Sequence, residues 1–202
     1  HRVLGVTPED IGKIAIERGI PTIIDYFSEK VVDEILEKHG KAKVVTATNV
    51  FAHIDEPNKI TTLINKVLDD DGIFISESHY LIPLIKTLQY DTIYHEHLRY
   101  YSLTSLKFLL EKNNFSPFKA TEIPTHGGSI RVFASKSNVH KTHKSVESTL
   151  KLEEKYLNME SMNQFKERVV LSKSSLMSLI DKIKSAGKEI YGISAPSRAS
   201  TL

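Results

Sequence analysis

Tyr90-Asp-Thr-Ile-Tyr94-His95-Glu96-His97 gathers two histidines, a glutamate and two tyrosines into one short run. Imidazoles titrate near neutral pH, and a neighbouring carboxylate can hold or orient them, so the run has the makings of an acid/base device. Filling a core with such groups would demand a partner for each, which argues against a purely structural role. A solvated polar loop with incidental histidines is the plain alternative. His95 and His97 also look like zinc ligands. Their spacing is not that of a helical HExxH pair and no further ligand cluster accompanies them, so no metal is expected here.

The elements around this run must position it. A helix is expected to end near Leu88 and another to open at Ser102 and run to about Lys112. Upstream, short apolar runs alternate with helical stretches. Residues 3–6 form a strand; Thr7 caps a helix that starts at Pro8, runs to about Arg18 and stops at Gly19. Residues 21–24 form the next strand, closed by Asp25, and Ser28 caps a helix that ends before Gly40. A strand at 44–47, a helix at 57–69 and a strand at 72–76 follow. Strands separated by helices of this length build a parallel, doubly wound α/β sheet.

The pattern then changes. Residues 118–123 and 129–134 read as an antiparallel pair joined by Pro124-Thr-His-Gly-Gly128. Residues 141–187 read as one or two long helices, with Leu171, Leu176, Leu179, Ile180 and Ile183 at core-packing spacing. A strand at 189–193 leads into a small-residue turn at 194–201, taken as the start of a second α/β domain. The expected division is 1–137 and 138–202. No G-x-G occurs at a strand-to-helix turn, where an open α/β sheet binds its ligand. Gly127-Gly128 lies between antiparallel strands and is no phosphate-binding helix N-terminus. The first strand and its glycine loop are therefore expected to lie outside this chain.

Composition excludes several classes. The chain has 202 residues, 40% hydrophobic and 26% charged, with a net charge of +2. That is an ordinary soluble globular balance, without the concentrated basic face of a nucleic-acid binder. No apolar run approaches the roughly 20 residues of a membrane span and no signal peptide opens the chain. There is no cysteine, so disulfides and thiol chemistry are excluded within this stretch and the cytoplasm is the expected location.

Three motifs carry a family resemblance. Asn49-Val-Phe-Ala-His53-Ile, the Tyr90 to His97 run, and Pro124-Thr-His-Gly-Gly-Ser-Ile-Arg131 closely resemble the S-adenosylmethionine-dependent C-methyltransferases of nucleotide-linked keto-deoxysugars. The likeness spans nearly the whole chain in the same order. Tyr191-Gly-Ile-Ser-Ala-Pro-Ser-Arg-Ala-Ser-Thr201 is similar to the turn opening that family's C-terminal domain. The resemblance implies a Rossmann-like class I methyltransferase sheet, shortened at its N-terminal side. It also implies S-adenosylmethionine as cofactor and a nucleotide-linked sugar as substrate. Any zinc would belong to a cysteine-bearing N-terminal domain that this chain does not include.

The resemblance also assigns roles. Thr7 stands where the family carries an acidic residue for the cofactor's ribose hydroxyls; a hydroxyl cannot take both as a carboxylate does. Asp25, Tyr26 and Phe27 fall at the adenine, and Asn49 at the methionine end. Methylating carbon beside a ketone requires a base to remove a proton and donors to stabilise the enolate oxygen. His97 is the expected base, Glu96 its orienting partner or a sugar ligand, and Tyr94 and His53 the donors. His95, His126 and Arg131 are assigned to the substrate. Plainer roles stand beside these: His53 as cap of the helix near Pro57, Tyr94 as packed aromatic, His126 and Arg131 as turn stabilisers, and Asp25 as helix cap. His79, His140 and His143 are expected to be exposed. A nucleotide-sugar oxidoreductase and a non-catalytic methyltransferase-like binding module are the competing functions. The oligomeric state is not legible.

Overall fold

The computed structural model describes residues 2–136, 139–194 and 196–201. In chain order the elements are β1 (Gly5–Val6), α1 (Ile11–Glu17), β2 (Thr22–Ile23), α2 (Glu29–His39), β3 (Ala42–Thr48), α3 (Pro57–Val67), β4 (Leu68–His79), α4 (Leu81–Lys86), α5 (Leu103–Lys112), β5 (Ser116–Ile123), β6 (Ser129–Ser135), α6 (Lys144–Tyr156) and α7 (Met159–Ser185). Single helical turns stand at Phe51–His53, Tyr90–Thr92, Thr125–Gly127 and Ser197–Thr201. The sheet is in two parts. β1 and β2 pair in parallel, and a separate four-stranded sheet has the order β3-β4-β6-β5. In it, β3 and β4 are parallel, while β6 is antiparallel to both β4 and β5. The expected hairpin thus inserts its second strand beside the parallel pair.

Local chemistry explains the helix limits. Ser28 caps α2 by accepting the Val31 amide at 3.4 Å, and the helix stops at Gly40, whose φ of 74° suits glycine. α5 opens with a capping box in which Ser102 and Ser105 satisfy each other's backbone amides. Val31, Val32 and Ile35 of α2 pack on Leu63 and Val67 of α3, with Val6, Ile23 and Val45 beside them. This cluster ties the small sheet to the large one. A second cluster lies under β4, β5 and β6. There Phe74 meets Phe51 and Phe115 with ring centroids 5.8 and 5.7 Å apart. Each such buried ring is worth about 1.5–3 kcal/mol.

Several expectations are corrected. α1 begins at Ile11, not Pro8, because Thr7 Oγ1 accepts the Glu9 amide at 3.3 Å and bends the chain into a turn first. α3 ends at Val67 and β4 takes over at once, running well beyond the expected 72–76. The three aspartates are held extended by lysines: Lys43 reaches Asp69 at 3.0 Å and Asp71 at 2.5 Å, and Lys41 reaches Asp70 at 3.0 Å. Residues 189–193 form no strand; Tyr191 and Ile193 are 80% and 95% exposed, and the stretch pairs with no strand among the described residues. The expected leucine stripe of α7 is not core here, since the helix buries none of its residues. His79 and His140 are half-buried, His140 stacking on Phe118 at 4.4 Å, whereas His143 is exposed. The expected division between 137 and 138 lies outside the described residues.

Candidate active site

The site is assembled at the carboxyl ends of β3 and β4. β3 ends at Thr48, and Asn49 follows in the left-handed region, φ 53°, donating its amide to the Glu77 carbonyl at 2.8 Å. The chain turns through Phe51–His53, burying Phe51 and leaving His53 exposed. Strand β4 ends at His79, whose Nε2 lies 2.9 Å from Gln89 Oε1. The loop carrying residues 94–97 is pinned to the turn after β3. Leu98 donates its amide to Ala52 O at 2.9 Å, and the Arg99 guanidinium donates to the carbonyls of Ile54 and Asp55.

That pinning brings four rings around His97. Its ring centroid lies 5.1 Å from His53, 4.7 Å from Tyr94, 6.1 Å from Tyr100 and 6.4 Å from His79. Nδ1 of His97 is 3.1 Å from the carbonyl oxygen of Thr92. A carbonyl only accepts, so Nδ1 carries the proton and Nε2 presents a lone pair. Burial holds the His97 imidazole below the usual histidine range; His53, His79 and Arg198 add to that, against the Thr92 hydrogen bond. His79 is lowered too, again mainly by burial. His97 is therefore a neutral base of fixed tautomer.

Glu96 sits apart from that pair. Its carboxylate accepts from the Tyr94 hydroxyl at 3.2 Å and from Ser197 Oγ at 3.3 Å, and His95 Nε2 lies 3.9 Å away. The group that orients His97 is the Thr92 carbonyl, not Glu96. Burial and the Glu96 charge raise the Tyr94 phenol, which keeps it a donor. Sequence reasoning missed Thr92 because a backbone carbonyl leaves no residue signature. It also missed His79, although a histidine closing a strand at the carboxyl edge of the sheet was a readable signal.

The remaining candidates divide. Asp25 follows β2 and accepts the Tyr26 amide at 2.7 Å, with Lys30 3.6 Å away. It does not cap α2, which Ser28 does. Tyr26 is 73% exposed, while Phe27 packs against both hydrophobic clusters. A carboxylate beside an open aromatic face fits an adenosine-like group. Arg131 places Nε and Nη2 at 3.0 and 2.7 Å from Oε2 of buried Glu77. That ion pair engages it on the sheet, beside an open groove of about 400 Å³ lined by Thr46, Thr48, Ile75 and Phe133. His126 is exposed on the β5–β6 turn at φ 53°. Among the described residues no group of three or more His, Asp or Glu side chains is arranged to hold a metal. No helix there is long and apolar enough to cross a membrane.

Comparison with known proteins gives the family and the fold. Residues 6–119 match the family model of a methyltransferase domain, and residues 124–202 match the C-methyltransferase C-terminal domain. C-methyltransferase NovU of Streptomyces niveus is 33% identical over 100% of this chain, which spans 49% of that relative's length. A SAM-dependent methyltransferase of Methanosarcina mazei shares the fold with a TM-score of 0.52 at 12% identity, over 66% of this chain and 81% of that one. The 1,6-didemethyltoxoflavin-N1-methyltransferase of Burkholderia thailandensis, solved with S-adenosylhomocysteine, gives 0.50 at 18% identity, over 68% of this chain and 62% of that one. With residues 6–119, more than half of its length, matching the methyltransferase domain, the chain belongs to that methyltransferase family, and its C-terminal part is similar to the C-methyltransferase C-terminal domain.

Proposed function

We propose that this chain carries the acid/base site of an S-adenosylmethionine-dependent C-methyltransferase acting on a nucleotide-linked keto-deoxysugar. The observation that carries the reading is the Nδ1 of His97 held on Thr92 O at 3.1 Å, which leaves Nε2 free as a base. The cofactor supplies an electrophilic methyl group; Asp25, Tyr26, Phe27, Thr7 and Asn49 are the residues assigned to hold it. His97 Nε2 removes the proton from the carbon beside the ketone. The electron pair of that C–H bond moves into the enolate, and its oxygen receives hydrogen bonds from His53 and from the Tyr94 hydroxyl, whose single proton turns from Glu96 to make one. The imidazolium so formed keeps its Nδ1–H on the Thr92 carbonyl, now as a stronger, charge-assisted bond. With the cofactor bound, the enolate carbon would take its methyl group as the methyl–sulfur bond breaks, that electron pair staying on sulfur and leaving a neutral thioether. His95 and His126 reach the substrate from exposed positions, and Glu96 holds Tyr94.

The test is an assay with keto-sugar nucleotide and cofactor in deuterated water, read by mass spectrometry. A gain of one methyl group on carbon, with deuterium entering the same carbon when transfer is blocked by a cofactor analogue, is the expected result. Methylation at oxygen, or transfer without exchange, would overturn the enolate mechanism.

A further inference from the structure

The C-terminal end of the chain folds back onto the catalytic loop. The turn Ser197–Thr201 packs on the turn Tyr90–Thr92. Three contacts join this turn to the loop: Arg198 Nη1 lies 3.7 Å from Asp91 Oδ2, Thr201 Oγ1 donates to Asp91 O at 3.1 Å, and Ser197 Oγ donates to Glu96 Oε1 at 3.3 Å. We infer that Arg198 is a positioning residue of the site, acting through Asp91 on the adjacent Thr92 carbonyl and so on the orientation of His97. This rests on the acid/base reading of His97 given above. The downstream side of the loop is tied to the turn after β3 through Leu98 and Arg99. The upstream side, where the orienting carbonyl sits, is tied by the C-terminal turn. The two regions of the chain, matching two family models, thus meet at one functional loop. The groups facing His97 are His53, His79, Tyr94 and Tyr100, with Arg198 the cation whose charge acts on it.

The experiment is an NMR titration of the histidine rings in the whole chain, comparing wild type, Arg198→Ala and Arg198→Lys, with exposed His143 as internal control. Arg198→Ala releases Asp91 and with it the Thr92 carbonyl, so the Thr92 and His97 amides should shift and the His97 ring nitrogens should report a mixture of tautomers in place of one. That readout is not blurred by the opposing effects of the lost charge and the lost Thr92 hydrogen bond on the midpoint. Arg198→Lys should restore most of the wild-type behaviour, and His143 should not respond. Thr92 and His97 amides and a His97 tautomer unchanged in Arg198→Ala would overturn the inference. In the methyl-transfer assay Arg198→Ala should lower kcat about two- to fivefold, as expected for a solvent-screened pair, with KM held. A raised KM at unchanged kcat would make Arg198 a substrate contact instead and would also overturn it. If wild type transfers no methyl group while His97 still responds to Arg198→Ala, the proposed function fails and the tether stands. If wild type transfers the methyl group and Arg198→Ala does so equally well, the proposed function stands and the positioning role of Arg198 is lost.

Discussion

His97 and Thr92 are five residues apart, and the loop between them closes so that the imidazole Nδ1 meets the Thr92 carbonyl oxygen at 3.1 Å. The Tyr100 hydroxyl donates to the same oxygen at 3.1 Å. One carbonyl therefore fixes the tautomer of the base and the position of a neighbouring aromatic. Proton abstraction by this imidazole needs that arrangement, because only the lone pair on Nε2 can accept a proton.

Replacing His97 with asparagine keeps a polar group of similar reach but removes the base. Methyl transfer should fall by about 10²–10⁴-fold while the fold and cofactor affinity persist. Near wild-type turnover would move the role to His53 or Glu96.

The pH profile follows from the direction of the His97 shift. Its folded pKa lies below the ordinary value of 6.5, chiefly through burial, so the neutral base survives further into acid than a free imidazole. The acid limb of kcat/KM should bend below about 6.5. Stability follows the same sign: the unfolded chain binds the proton more readily, so this contribution is present above the unfolded pKa and is lost as pH falls through the folded one. Titration of the His97 ring by NMR checks both. A midpoint above 6.5 would contradict the burial argument.

Tyr94→Phe and His53→Ala each remove a donor next to His97. Solvent deuterium uptake beside the ketone should slow in both, by up to roughly 3–4 kcal/mol in barrier where the site is dry. His53 is exposed, so its effect should be the smaller. Equal uptake in wild type and both variants would show that the cluster does not form the enolate.

Glu153 is 2% exposed, and its carboxylate accepts the Leu103 amide at 2.5 Å, the Thr104 amide at 2.8 Å and the Thr104 hydroxyl at 2.6 Å. It caps α5 from α6, just downstream of the loop that carries His97. Glu153→Ala leaves those donors without an acceptor and should cost roughly 2–3 kcal/mol. The denaturant midpoint reports this, and an unchanged midpoint would mean that water replaces the carboxylate at no cost.

Thr7 offers one hydroxyl where two ribose hydroxyls are expected, and that hydroxyl already accepts the Glu9 amide. Thr7→Asp should tighten S-adenosylmethionine binding by about tenfold, or ~1.4 kcal/mol. Calorimetry gives the answer; weaker binding would remove Thr7 from the cofactor site.

The order of strands and helices as far as α7, the antiparallel hairpin at 118–134 and the residues of the acid/base run are legible in the sequence. They follow from local periodicity, from Ser28 and Ser102 as caps and from Gly40 as a stop, and none requires a distant partner. Long-range contacts supply the rest. The sequence offers Arg131 as a substrate contact or a turn stabiliser, and strand pairing is what sets it against Glu77 across β4 and β6. Residues 189–193 have strand composition, but β structure needs an edge to pair with and none meets them among the described residues. Most of all, the partner that orients His97 is a backbone carbonyl, and the turn that braces it comes from residues 197–201 at the other end of the chain. Main-chain atoms carry no residue identity and contacts of such sequence separation leave no local period, so only the folded chain reveals them.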